Sequence, residues 1–388
     1  MVCIHIAVAF GGAFLASVEA EPISLPIRQE LAPLELDGQA LNLRVDSGTA
    51  RSFAIYGPAF EELEGEGSCL GLLWGCYFCP TDNPCDDISS RKRWRATYVD
   101  GVHLEYVEHY VTSRLGNVTV PDFKFGLALN FSRFPGTHRT EPLGSLALSI
   151  GRSDIPETFL EQLRMQEVIS SLVHSIRAEK RGYFVTGNLT LDDTTTSDLS
   201  PIPFSSHSRR CKKITALSSP LSLLDVYGNR QDRDGEVEMK QTHVVAFIDS
   251  GASPLDISDV EFKSIVEVTA APMTRDERVL SPGSSEELIW EDPDSGFYMI
   301  TTAAVPHLPA LAYYVGEQPH GMEIRIQPKH YLSECDQSRC QLDIAPSPDG
   351  RISLGHPLFR AYDVKFDLSN YQLYLSPHVK NAEAFALP

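Results

Sequence analysis

Two segments half a chain apart constrain this sequence more than anything else in it. In residues 41–49, LNLRVDSGT, apolar Leu41, Leu43 and Val45 alternate with polar Asn42 and Arg44. That is the period-two pattern of a β-strand, and it runs into Asp46-Ser47-Gly48-Thr49. Residues 244–253, VVAFIDSGAS, repeat the arrangement with a longer apolar run ahead of Asp249-Ser250-Gly251. Glycine lets the backbone approach a neighbouring chain closely, and the serine hydroxyls can bond locally. A third copy, Asp294-Ser295-Gly296, follows acidic, Pro-containing residues and reads as a turn. Two strand-borne aspartates, one per half, point to two lobes with a shared cleft. Carboxylates held about 3 Å apart cannot both ionise easily, so they share a proton. One is then a base towards water and the other an acid towards a carbonyl.

At 388 residues the chain is long enough for two lobes with their own cores. The formal net charge of −19 argues against a nucleic-acid partner, because phosphate binding calls for Lys and Arg. The short basic cluster at 91–95 reads as a solvated face. Residues 1–20 read as a signal peptide, with an apolar run over 4–16 and small residues Val18 and Ala20 before the cut. No later apolar run approaches the ~20 residues of a membrane helix. Asn117, Asn130 and Asn188 head glycosylation sequons. The expected location is therefore outside the cell or in an endo-lysosomal or vacuolar lumen.

Of eight cysteines, Cys3 falls in the signal segment. Cys69, Cys76, Cys79 and Cys85 share one loop after the first aspartate and predict two disulfides, in any of three pairings. A zinc site around Cys76 and Cys79 is the alternative. Cys335 and Cys340 are expected to close a small loop, and Cys211 is left without a partner. No metal and no cofactor is expected. The motifs of serine hydrolases, zinc proteases, P-loops and dinucleotide folds are absent, and the His residues show no ligand spacing.

Asp100-Gly101, between the apolar-rich segments 96–99 and 102–104, predicts a hairpin with Tyr98 just before its tip. Apolar residues at roughly helical spacing predict a helix over 155–176. Residues 53–56, 182–187 and 321–326 read as strands. The Thr-, Ser- and Asp-rich stretch at 194–203 divides the chain into lobes at 21–200 and 201–388.

With the two DSG units, the stretch Leu354-Gly355-His356-Pro357-Leu358-Phe359-Arg360, followed by Phe366-Asp367, resembles the closing segment of the pepsin-like aspartic proteases. The resemblance covers about 27–377, nearly the whole chain after the signal. It implies an all-β, bilobed fold with a few short helices and a cleft between two β-rich lobes. It also implies a monomeric endopeptidase acting on peptide or protein substrates through Asp46 and Asp249. Ser47, Gly48, Thr49, Ser250 and Gly251 would support the dyad, the serines bonding across the lobes. Tyr98, Asp100 and Gly101 would belong to a hairpin flap over the cleft; otherwise Tyr98 is a packed strand tyrosine.

The sequence departs from that family in four places. Phe53 replaces a Trp whose N–H bonds the flap tyrosine, Ala147 a Gly, His356 an Asp, and Ala252 a hydroxyl residue. Thr49 keeps its hydroxyl, so Asp249 is expected to be the weaker acid and the pH optimum less acid than in relatives with both hydroxyls. The competing reading is a weak or inactive relative that binds peptides or a protein in the cleft.

Overall fold

The computed structural model describes residues 21–98, 102–133, 143–152, 157–180, 184–195, 199–231, 243–275, 288–347 and 349–378. Residues 1–20, expected to be a signal peptide, and Asp100 and Gly101, expected at a hairpin tip, lie outside the described residues. The described chain is mostly β-sheet with a few short helices, arranged in four sheets.

The first half builds a seven-stranded sheet around Gln39–Asp46. That strand forms a hairpin with Leu31–Leu36 through Asp37 and Gly38, whose φ angles of 47° and 78° suit an Asp-Gly turn. Asp37 is fixed there by the Tyr77 hydroxyl at 2.6 Å and the Thr112 N–H at 2.7 Å. On its other side Gln39–Asp46 runs parallel to Ser145–Ala147, with Asp46 opposite Ala147. Leu41, Leu43 and Val45 are buried, as the alternation predicts.

The second half repeats the device. Val244–Ile248 runs parallel to Ile352–Leu354, with Ile248 opposite Leu354, inside an eight-stranded sheet. In each half the aspartate therefore ends one strand and is flanked by a second, parallel one. The second half also contains a small four-stranded sheet, in the order Ile289–Glu291, Tyr298–Thr301, Arg339–Leu342 and Leu332–Ser333.

A further six-stranded sheet draws on both halves. Its order is Ile23–Ile27, Thr186–Leu191, Val173–Lys180, Tyr362–Asp367, Gln372–Pro377 and Ile202–Pro203. Val364 of the closing segment pairs with Ile176. Here the structure corrects the helix expected over 155–176. The helix is Phe159–Met165, started by a capping box in which Glu161 N–H donates to the Thr158 hydroxyl at 3.2 Å. Glu167 then takes φ 58°, and the N–H groups of Ser170 and Ser171 donate to the Asp192 carboxylate at 2.7 and 2.8 Å. The chain turns, and Ile176 joins the strand Val173–Lys180.

The strands expected at 53–56 and 321–326 are present as Phe53–Ile55 and Met322–Ile326. The one expected at 182–187 begins later, as Thr186–Leu191. Cys69 pairs with Cys76, Cys79 with Cys85, and Cys335 with Cys340. His109 lies beside Cys79 and Cys85, but those sulfurs are bonded to each other, and Cys76 and Cys79 fall in different bridges. That removes the zinc reading of this loop. Cys211 is a half-buried free thiol.

Candidate active site

Asp46 and Asp249 meet where the two halves touch, because each DSG turn is locked to the other. Ser47 N–H donates to Ser250 Oγ at 3.0 Å, and Ser250 N–H donates to Ser47 Oγ at 2.9 Å. Each hydroxyl then donates to the strand carrying the other aspartate, Ser47 to Ile248 O at 3.1 Å and Ser250 to Val45 O at 2.9 Å. Both serines are buried, so these bonds are shielded from water. The turns pack just as closely. A Cβ on Gly48 would strike the Asp249 carboxylate, and one on Gly251 would strike that of Asp46.

The two carboxylates are held unequally. Asp46 Oδ1 accepts the N–H groups of Gly48 at 2.9 Å and Thr49 at 3.1 Å. Arg44 Nη2 stands 4.0 Å from Asp46 Oδ2. Burial raises the Asp46 pKa, while the Arg44 charge and those N–H groups pull it back. Asp249 Oδ1 accepts one such donor, Gly251 N–H at 2.8 Å. Burial, then the charge of Asp46 beside it, holds its pKa well above the usual carboxylate range. Asp249 thus has fewer donors to its charged form than Asp46, though they are not the donors expected. The Thr49 hydroxyl accepts the Arg51 N–H at 3.4 Å and faces Tyr98, and it is the Thr49 backbone that donates to Asp46.

Tyr98 directly follows the strand Trp94–Thr97, which pairs antiparallel with Val102–Leu115. Tyr98 N–H donates to Val102 O at 2.8 Å, and its ring lies 6.5 Å from that of Phe53, tilted 52°. Burial and the nearby Asp46 charge raise the phenol pKa, which keeps the hydroxyl protonated. Phe53 meets the ring by apolar contact where an indole would offer an N–H. Ala147 N–H donates to Ser52 Oγ at 2.9 Å.

His356 is fully buried beneath the second turn, its N–H donating to Ala252 O at 3.0 Å. Its Nε2 lies 3.1 Å from Ser250 O and 3.4 Å from Glu30 Oε2. Glu30, in the left-handed region at φ 63°, passes its carbonyl to Val45 N–H at 2.9 Å, and burial pushes its carboxyl up to about 7. Sequence reasoning missed Glu30, since nothing local marks it. Arg44 was readable, because a charge two residues before a strand aspartate shares its face.

Among the sequon residues, Asn117 is exposed beside the turn joining Val102–Leu115 to Val118–Arg133, and Asn130 is exposed on the second of those strands. Asn188 is half-buried, and its amide donates to Glu179 Oε1 at 2.7 Å.

A family model described as eukaryotic aspartyl protease matches residues 85–378, a span that contains Asp249 and begins after Asp46. No curated protein matches the chain. Among solved structures, the aspartic proteinase from Irpex lacteus superposes with a TM-score of 0.62 at 16% identity, over 94% of this chain and 98% of that one. That likeness is one of fold. From the family match over three quarters of the chain and the two-half β-architecture, the protein belongs to the eukaryotic, pepsin-like aspartyl proteases.

Proposed function

We propose that this protein is an aspartic endopeptidase that hydrolyses peptide bonds with water activated between Asp46 and Asp249. The observation that carries the reading is the reciprocal Ser47–Ser250 lock, which holds one carboxylate from each half against the other's glycine turn. Asp46, with more donors and a nearby cation, is the ionised member and takes a proton from water. Asp249, the weaker acid, carries the shared proton and gives it to the scissile carbonyl oxygen. The hydroxide adds to the carbonyl carbon; Asp46 then gives the proton it took to the amine nitrogen, the C–N bond breaks, and a hydroxyl of the tetrahedral adduct returns its proton to Asp249, which restores the dyad. Tyr98 closes one side of the cleft with the hairpin that contains Asp100 and Gly101.

Three disulfides suit an oxidising compartment, so we place the protein in the secretory pathway or a lumen reached through it. Asn117 and Asn130 are the accessible glycosylation sites. Its substrates are peptides or proteins, and a monomer suffices because both aspartates come from one chain.

The test is cleavage of a denatured protein mixture from acid to neutral pH, with and without a peptide mimic bearing a hydroxyl at the scissile position. Asp46→Asn and Asp249→Asn should each lower kcat/KM by about a hundred- to ten-thousandfold without lowering Tm. Cleavage that survives both substitutions would refute the dyad. Tight binding of the mimic with no cleavage at any pH would favour a peptide-binding relative, with the Phe53–Tyr98 contact as the first place to look.

A further inference from the structure

Arg44 stands beside the aspartate pair, with Nη2 4.0 Å from Asp46 Oδ2. It lies on Gln39–Asp46 two residues before Asp46, so by the period-two alternation of a strand both side chains leave the same face. The side chain retains 24% of its accessibility. Its charge faces Asp46, Glu30, Tyr98 and Asp249.

What sets Arg44 apart is how little of it is used. Its contact with Asp46 is 4.0 Å, beyond hydrogen-bond reach, and its buried Nε has no acceptor among the described residues. A guanidinium offers five donors in a planar fork that fits a carboxylate in bidentate fashion. Asp46 does not take that fork, because its Oδ1 is already spent on the Gly48 and Thr49 N–H groups.

The surroundings add to the same field. Lys213 lines a pocket with Gly48, Phe247 and Asp249, and its ammonium lies 5.4 Å from the Phe247 ring centre with no carboxylate paired to it among the described residues. Arg351, in the same pocket, is bonded to Asp349 at 2.6 Å. Asp256 lines the pocket too, and burial pushes its carboxyl up to about 6, so in acid it adds no negative charge. Glu30, raised to about 7, is likewise neutral there. With one negative charge shared by the dyad, Arg44 and Lys213 leave the cleft positive in a chain of net charge −19. At pH about 5 the Glu and Asp side chains of a peptide are ionised while these buried carboxyls are not.

We infer that Arg44 is a specificity-determining residue that receives an acidic side chain, Glu or Asp, adjoining the scissile bond on the Tyr98 side of the cleft. The inference rests on the dyad reading for the position of that bond, and its test separates the two. Peptides differing only in Glu, Gln or Leu beside the scissile bond are compared for kcat/KM, and uncleavable hydroxyl-bearing counterparts for Kd, each variant at its own pH optimum. The wild-type protein should favour Glu over Gln by about ten- to a hundredfold, the worth of a charged hydrogen bond. Arg44→Met should bring that ratio to about one, Arg44→Lys should restore part of it, and Arg44→Glu should turn the preference towards Lys. Because the readout is a ratio within each variant, an effect of Arg44 on the dyad's acidity cancels.

Cleavage or mimic binding with no preference for Glu, or a preference unchanged in Arg44→Met, would overturn the inference and leave the protease reading intact. Binding that favours Glu without any cleavage would support the inference and defeat the protease reading. A folded protein that neither cleaves nor binds any of these peptides would overturn both.

Discussion

At the scale of single residues, the difference between the two aspartates comes from what donates to them. Asp46 receives two N–H groups and stands near a guanidinium, while Asp249 receives one N–H and sits against another carboxylate. Position 252 is the point at which this can be adjusted, because Ala252 has no side-chain donor. An Ala252→Ser hydroxyl that reaches Asp249 would stabilise its ionised form and lower its pKa. Since Asp249 must be protonated to act as the acid, activity would then be lost at lower pH. The alkaline limb of the kcat/KM profile should move down by roughly one pH unit. An unmoved limb would show that the hydroxyl points elsewhere, as that of Thr49 does. The limb belongs to the pair of carboxylates and not to one residue.

At the scale of elements, the second turn depends on the short helix His356–Ala361 behind it. The helix buries Arg360 against Asp343, with Nη1 2.6 Å from Oδ2 and both side chains almost without exposure. Arg360 also donates to His330 O at 2.7 Å, and Asp343 accepts the Ser333 hydroxyl at 2.8 Å and the Gln341 amide at 3.1 Å. The Asp343 backbone carbonyl accepts Leu255 N–H at 2.9 Å, which ties the pair to the strand leaving the second turn. Removing one partner strands a buried charge. Arg360→Met should therefore destabilise the protein by about 3–5 kcal/mol in denaturant unfolding. The double variant Arg360→Met/Asp343→Leu should recover much of that loss, because no charge is left unpaired. A double variant as unstable as the single one would mean that the lost bonds to His330, Ser333 and Gln341 matter more than the charge.

At the scale of the whole molecule, buried carboxyls make stability depend on pH. Glu30 sits between the first hairpin and His356, and burial raises its pKa from 4.5 to about 7. In the folded protein it keeps a proton that the unfolded chain gives up above pH about 4.5. Its contribution is thus fully present below that pH and is lost as pH rises towards 7. Asp256, raised to about 6, acts in the same direction. The interval for Glu30 corresponds to about 3 kcal/mol. Glu30→Gln, which needs no proton, should flatten the fall in Tm between pH 4.5 and 7.5 and leave the protein more stable than wild type at pH 7. Parallel Tm curves for the two proteins would show that Glu30 is ionised within the fold.

What the sequence determined by itself was local. Each DSG turn is written in adjacent residues, a strand alternation running into Asp, Ser and Gly. The hairpin bearing Tyr98 is marked by Asp100-Gly101, and the cysteine loop by its spacing. Pairings over long separations were decided only by the tertiary structure. Residues 166–176 carry apolar spacing that suits a helix, but the Asp192 carboxylate and the partner strand Tyr362–Asp367 draw them into a sheet shared by both halves. Which cysteines pair depends on where the loop folds back. Glu30 and His356 lie at opposite ends of the chain and meet only because the two halves close on each other. Arg44 is plain in the sequence, but its unused Nε follows from the tertiary structure, in which the turn's own N–H groups satisfy Asp46 Oδ1. Backbone preferences act over a few residues and can be read in order. Burial, and the charges it brings together, are properties of the closed fold.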